Sequence, residues 1–118
     1  MRQLDNQSII DGIDVSIEIP RLDGGPLLWD IIHRMEHKVL CSDPLHTEHS
    51  VCRWMKHLKY FAYSAHDNTL QSLLATFDAR KRLYPSGGIP QFAAAMAIEL
   101  WRTPSNDFTV KVHGIVFL

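Results

Sequence analysis

No run of apolar residues in this sequence approaches the ~20 that a membrane-spanning helix needs. The first fourteen residues are polar and carry no signal-peptide pattern. Charge of one sign is also missing. The formal net charge is −1, which gives neither nucleic acid nor an anionic membrane a reason to bind. Cysteine is scarce, with two in 118 residues, so a disulfide-dense mini-fold is excluded. There is no internal repeat and no low-complexity segment. A hydrophobic fraction of 46% with 21% charged residues instead describes an ordinary globular domain. The length suits one domain at most and supports a core.

Taken in order, residues 1–14 show no firm period and read as a frayed arm. Val15, Ile17 and Ile19 alternate with polar residues before Pro20, the pattern of a short extended segment. Gly24-Gly25-Pro26 reads as a turn, with the proline opening a helix over residues 26–40. Leu28, Ile31, Ile32, Met35 and Val39 form its apolar stripe. Asp30 and Arg34 pair one turn apart on its outer side, worth a few tenths of a kcal/mol. His33 and His37 share that spacing, but no Glu follows His33 to make the metalloprotease pattern, and a solvated helix face is the simpler reading.

Seven histidines are many for this length. Two of them, His46 and His49, lie between Cys41 and Cys52 and give four zinc-type ligands in one loop. The spacing fits no common zinc finger. A disulfide, free thiols and a structural zinc all remain open for this segment. Asn6-Gln7-Ser8 is a glycosylation sequon, of consequence only in a secreted chain.

The most informative stretch comes next. Tyr60, Phe61, Ala62 and Tyr63 contain no charged residue and suit a short buried strand. Asn68 and Gln71 look like a helix cap with its reciprocal partner. Leu70, Leu73, Leu74 and Phe77 then recur at helical spacing up to about Arg80, with Lys81 and Arg82 at the end. His66 and Asp67 should therefore stand between a strand's carboxyl end and a helix's amino end, where open α/β sheets bind ligands. Residues 84–90 form a loop rich in glycine and proline. Residues 94–101 read as a strand with Met96, Ile98 and Leu100 on one face. A turn at residues 103–107 leads into a second strand, with Phe108, Val110 and Val112 on one face. So short a turn predicts an antiparallel hairpin.

Tyr63-Ser64-Ala65-His66-Asp67-Asn68-Thr69-Leu70 resembles the second catalytic motif of the histidine acid phosphatases, in particular the prostatic and lysosomal group and its nematode relatives. Arg21-Leu22-Asp23-Gly24-Gly25-Pro26-Leu27-Leu28 resembles the segment that opens the helix upstream of that motif. Pro90-Gln91-Phe92-Ala93-Ala94-Ala95-Met96-Ala97-Ile98-Glu99-Leu100-Trp101 resembles the proline-aromatic-alanine strand that follows it. The three segments stand in the family's order. The family's Arg-His-Gly-x-Arg-x-Pro string, which carries the nucleophilic histidine, does not occur in this sequence.

The resemblance implies an α/β fold. Residues 1–118 would be the C-terminal part of a three-layer α/β/α, phosphoglycerate mutase-like phosphatase domain with an incomplete sheet. It implies acid phosphomonoesterase activity in a full-length form, with His66 holding the phosphoryl group and Asp67 as general acid. The partner is a phosphomonoester substrate, with no metal or cofactor, a homodimer as candidate assembly, and a secreted or lysosomal setting. The alternatives of another class are a non-catalytic phosphate-binding domain and a small zinc-stabilised one. On residue type alone His66 is a hydrogen-bonded histidine at a strand end and Asp67 a helix cap. Arg21, Arg80 and Arg82 carry charges that could meet a phosphate, but solvent exposure is their default. A chain of this kind should also expose a sheet edge and apolar surface.

Overall fold

The computed structural model describes residues 8–79 and 89–115. It opens with a two-residue hairpin, β1 (Ile9–Ile10) against β2 (Ile13–Asp14), antiparallel with Ile10 opposite Ile13. Asp11 and Gly12 turn the chain with φ of 50° and 80°, the left-handed pair that a tight hairpin demands. Residues 9–14 are thus ordered rather than frayed, and Asp11-Gly12 is the local signal for it.

Helix α1 (Val15–Leu40) starts eleven residues earlier than the pattern predicts and carries Pro20 and Pro26 inside it. Its start is set by Asp14, whose carboxylate accepts the Ser16 amide at 3.0 Å and the Ser16 hydroxyl at 2.6 Å. Those bonds hold the Asp14 carboxyl below the usual range, the Ser16 hydroxyl contributing most. The alternation of Val15, Ile17 and Ile19 is therefore helical surface, not an extended strand. Each proline removes one amide donor, a local cost that α1 carries. Gly24 is buried where α1 crosses α3 (Asp67–Thr76). A Cβ at Gly24 would lie 2.6 Å from the Ser72 carbonyl oxygen and 2.7 Å from the Thr76 methyl. The two backbones meet there because nothing larger than hydrogen stands between them.

Beyond α1, Asp43 caps a single 3₁₀ turn, Pro44–His46, by accepting the Leu45 amide at 2.9 Å. A one-turn helix α2 (Cys52–Met55) follows. Cys41 and Cys52 form a disulfide across this loop. Their sulfurs are bonded to each other and are not thiolates for zinc, which corrects the zinc-stabilised alternative. The disulfide and Met55 make a small core with Val51 and Leu58 packed on it. Lys38 closes the same corner: its ammonium donates to the carbonyls of Met55, Lys56 and Leu58 at 3.1, 2.9 and 2.7 Å.

Residues 60–63 do not form a strand. A strand needs a neighbour to pair its amides and carbonyls, and none of the described residues supplies one. Helix α3 ends at Thr76, short of Arg80, because Asp78 takes a left-handed φ of 51°. The Asp78 amide returns to Ala75 at 3.1 Å and the Ala79 amide to Leu74 at 2.9 Å, the two bonds of a Schellman ending. Arg80, Lys81, Arg82 and most of the 84–90 loop lie outside the described residues.

The last two strands, β3 (Ala95–Arg102) and β4 (Phe108–Ile115), form the antiparallel hairpin expected, with Ile98 opposite Val112 and Leu100 opposite Val110. Met96, Ile98 and Leu100 are the more buried set on β3. On the other face Glu99 accepts from the Trp101 indole at 2.8 Å and stands 3.3 Å from His113. The described residues therefore hold helices and two small sheets, an α/β arrangement. Much apolar surface stays uncovered, including Trp29, Ile32, Val110 and Val112. The chain presents 9657 Å² of accessible surface, against about 6,500 Å² from size scaling for a compact protein of 13.5 kDa.

Candidate active site at the start of helix α3

His66 and Asp67 stand at the junction where the irregular segment ends and α3 begins. His66 is the N-cap residue, with extended backbone (φ −94°, ψ 169°) and no side-chain cap bond. Its carbonyl accepts the Leu70 amide at 3.2 Å. Asp67 is the first helical residue, and its carboxylate accepts the Asn68 amide at 2.7 Å. The cap thus falls two residues before Asn68, and Asp67 acts from inside the first turn. The helix can start here because residues 67–76 include no glycine or proline, and Leu73 and Leu74 are buried.

Both side chains are exposed. The His66 ring makes no hydrogen bond or ion pair with any other described residue. As the N-cap, His66 stands at the amino end of a ten-residue helix, the positive end of the helix dipole, where anions are favoured. A carboxyl group next to it can donate or accept a proton. Among the described residues no cluster of His, Cys, Asp and Glu could hold a metal ion.

The segment leading to this junction is held from α1. Arg34 grips Asp30 through two hydrogen bonds, 3.2 and 2.9 Å, and donates from Nε to the Tyr63 hydroxyl at 3.1 Å. Tyr63 in turn donates a short hydrogen bond to Asp30. The guanidinium also lies 3.8 Å from the centre of the Phe61 ring, a cation–π contact. The Tyr63 hydrogen bond first, and Arg34 second, hold the Asp30 carboxyl below the usual carboxylate range. Desolvation first, and the bond to Asp30 second, push the Tyr63 hydroxyl up.

Sequence reasoning found the Asp30–Arg34 pair but missed Tyr63 as its third member. The one local hint was a tyrosine closing an apolar run, whose hydroxyl needs a partner. The other residues singled out lie elsewhere. His33 stacks on Trp29 with ring centres 3.7 Å apart, and its Nδ1 lies 3.0 Å from the Trp29 carbonyl. His46 and His49 face each other at 6.0 Å. Arg21 pairs with Glu18 at 2.8 Å.

Comparison with known proteins agrees with the motif. The profile of the histidine phosphatase superfamily (branch 2) matches residues 2–114. Three Caenorhabditis elegans proteins, each named a putative acid phosphatase, are similar to the chain. One is 36% identical over 104 residues, covering 88% of this chain and 23% of that protein. Number 10 of the series is 27% identical over 97 residues, 82% of this chain and 23% of its own length. Number 5 is 33% identical over 92 residues, 78% and 18%. The chain thus spans a quarter or less of these relatives. No solved structure matches it. A family profile over nearly the whole chain, together with the Tyr63-to-Leu70 motif at a helix start, places the chain in the histidine phosphatase superfamily, branch 2.

Proposed function

We propose that this chain carries the phosphate-binding and proton-donating part of an acid phosphomonoesterase that works through a phosphohistidine, within a three-layer α/β/α, phosphoglycerate mutase-like domain. The observation that carries the reading is the pair His66–Asp67, exposed and side by side at the start of α3. In such a reaction a nucleophilic histidine attacks phosphorus and the bond to the leaving oxygen breaks. His66 donates hydrogen bonds to the phosphoryl oxygens, beside the amides of the helix end. Asp67 protonates the departing alkoxide, a contribution of typically ~10²–10⁴-fold. Its carboxylate then takes a proton from the water that releases phosphate from the histidine.

No residue of this chain is assigned as nucleophile, since the Arg-His-Gly-x-Arg-x-Pro string does not occur in it. Alone, the chain is inactive or nearly so, and activity belongs to a longer polypeptide that contains the nucleophile. Support comes from apolar side chains left uncovered among the described residues, Trp29, Ile32, Val110 and Val112 among them. The Cys41–Cys52 disulfide suits an oxidising, secreted or lysosomal setting.

The test is hydrolysis of p-nitrophenyl phosphate at about pH 5, an acidity that suits a carboxyl donor. The pure 118-residue chain should show no turnover, while the native polypeptide, sized by immunoblot against residues 67–87, should be several times heavier than 13.5 kDa and active. Robust turnover by the chain alone, lost in both His66→Ala and Asp67→Ala, would overturn the claim of inactivity. A native band at 13.5 kDa that binds vanadate without turnover would replace catalysis by phosphate binding.

A further inference from the structure

We infer that Asp30 and Arg34 are positioning residues for His66 and Asp67, acting through Tyr63. The inference rests on the reading of His66–Asp67 as a phosphoryl site, and its geometry is separate from that reading. Residues 59–65 make no backbone hydrogen bond with any described residue. Nothing in the main chain therefore fixes where this segment lies. Side chains do so at its two ends. Lys38 takes the Leu58 carbonyl at 2.7 Å, and the Asp30–Arg34 pair takes Tyr63.

Two residues, Ser64 and Ala65, separate Tyr63 from His66. The link is three peptide steps, at most about 10 Å long, so where Tyr63 is held limits the direction from which the chain enters the helix start at His66. On the far side of the junction, α3 is fixed to the same helix by the contact of Gly24 with Ser72. One helix, α1, thus holds both the segment before the His–Asp pair and the helix after it. The pair lies between the two attachments.

The chemistry of the upstream attachment favours precision over affinity. Arginine's planar fork bonds a carboxylate with two donors and lies flat on an aromatic ring at once. Here it spans Asp30, the Tyr63 hydroxyl and the Phe61 face together. A lysine at position 34 could meet the charge but not all three partners. Asp30 completes the triangle by accepting from Tyr63, so each of the three polar groups bonds the other two.

The experiment is NMR on the labelled 118-residue chain, its Tyr63→Phe and Arg34→Met variants, and Arg34→Lys as the conservative replacement. Two quantities are read: backbone order parameters of residues 64–66, and the dissociation constant for orthophosphate from shifts of the His66 ring. The contact between Gly24 and Ser72 reports that α1 and α3 remain packed. The parent should show order parameters near ~0.85 at residues 64–66, falling below ~0.6 in Tyr63→Phe and Arg34→Met with the Gly24–Ser72 contact kept. Orthophosphate should bind the variants three- to tenfold more weakly, with Arg34→Lys intermediate. Unchanged order parameters in both variants would overturn the inference, as would unchanged orthophosphate binding. If Arg34→Met loses the Gly24–Ser72 contact, Tyr63→Phe, which removes a single oxygen, decides. A parent that does not respond to orthophosphate would overturn the phosphoryl-site reading, while the order parameters would still decide the positioning.

Discussion

Tyr63 donates its hydroxyl proton to Asp30, thirty-three residues earlier in the chain, and accepts a hydrogen bond from Arg34 at the same oxygen. This relationship joins α1 to the segment that delivers His66 and Asp67. It also depends on protonation at three sites, which makes it measurable.

The cluster has a pH window with two edges. Asp30 is held below its ordinary value by Tyr63 and then Arg34. Its stabilising share is complete above about pH 4, the unfolded value, and is lost as pH falls through the lower native one. Tyr63 is pushed up by desolvation and then by Asp30. Its share is complete below about pH 10 and is lost as pH rises through the higher native value. Arg34 is pushed further up, chiefly by its bond to Asp30, and stays cationic throughout. Carbon-13 titration of the Asp30 carboxyl and the Tyr63 ring should place both outside the window. An Asp30 that titrates at or above the value of a free aspartate would contradict the hydrogen bonding described.

Gly24→Ala puts a methyl group within 2.6 Å of the Ser72 carbonyl and 2.7 Å of Thr76. The first clash is with backbone, which cannot rotate away, so α1 and α3 must part. A loss of about 2–3 kcal/mol, the upper range for overpacking, is expected in urea unfolding. Gly25→Ala is the control, since a Cβ there meets nothing within 4 Å. Equal stability of Gly24→Ala and the parent would refute the close approach.

Reduction of Cys41–Cys52 should lower stability by about 2–3 kcal/mol, the loop-closure value for a short loop; the two cysteines are 11 residues apart. Their Sγ atoms sit in the small core with Met55, so reduction also loosens the corner that Lys38 grips. The urea midpoint with and without dithiothreitol measures it. No shift would mean that the bond does not form in solution.

Lys38→Met keeps the aliphatic stem and removes the ammonium from three carbonyls, those of Met55, Lys56 and Leu58. The expected cost is about 1–3 kcal/mol, the range for leaving partly buried acceptors unpaired. Amide exchange at residues 56–58, whose amides are hydrogen-bonded within this corner, should accelerate in the same variant. An unchanged exchange pattern would show that water replaces the ammonium without loss.

The sequence by itself determined what short-range chemistry can encode. Alternation of Met96, Ile98 and Leu100 against Val110 and Val112, with the turn at Thr103, located the β3–β4 hairpin and its apolar face, because a strand's two faces follow from its period alone. The local string from Tyr63 to Leu70 placed His66 and Asp67 at a helix start, within two residues of the observed cap. The Asp11-Gly12 turn was equally legible in principle, as was Asp14 as the α1 cap.

The tertiary structure alone decided the rest, wherever a distant partner changes the balance. Pro20 and Gly24-Gly25-Pro26 read locally as a stop and a turn, yet α1 runs through them, and Gly24 within it lies against Ser72, forty-eight residues away in sequence. Tyr60 to Tyr63 reads as a strand, yet a strand exists only if another backbone pairs with it, and among the described residues none does. Asp30 and Arg34 looked like a marginal surface pair until folding brought Tyr63 and Phe61 onto them. Periodicity and caps are set by neighbours a few residues apart. Close approach, strand pairing and a three-way hydrogen-bonded cluster are set by residues the chain must first bring together.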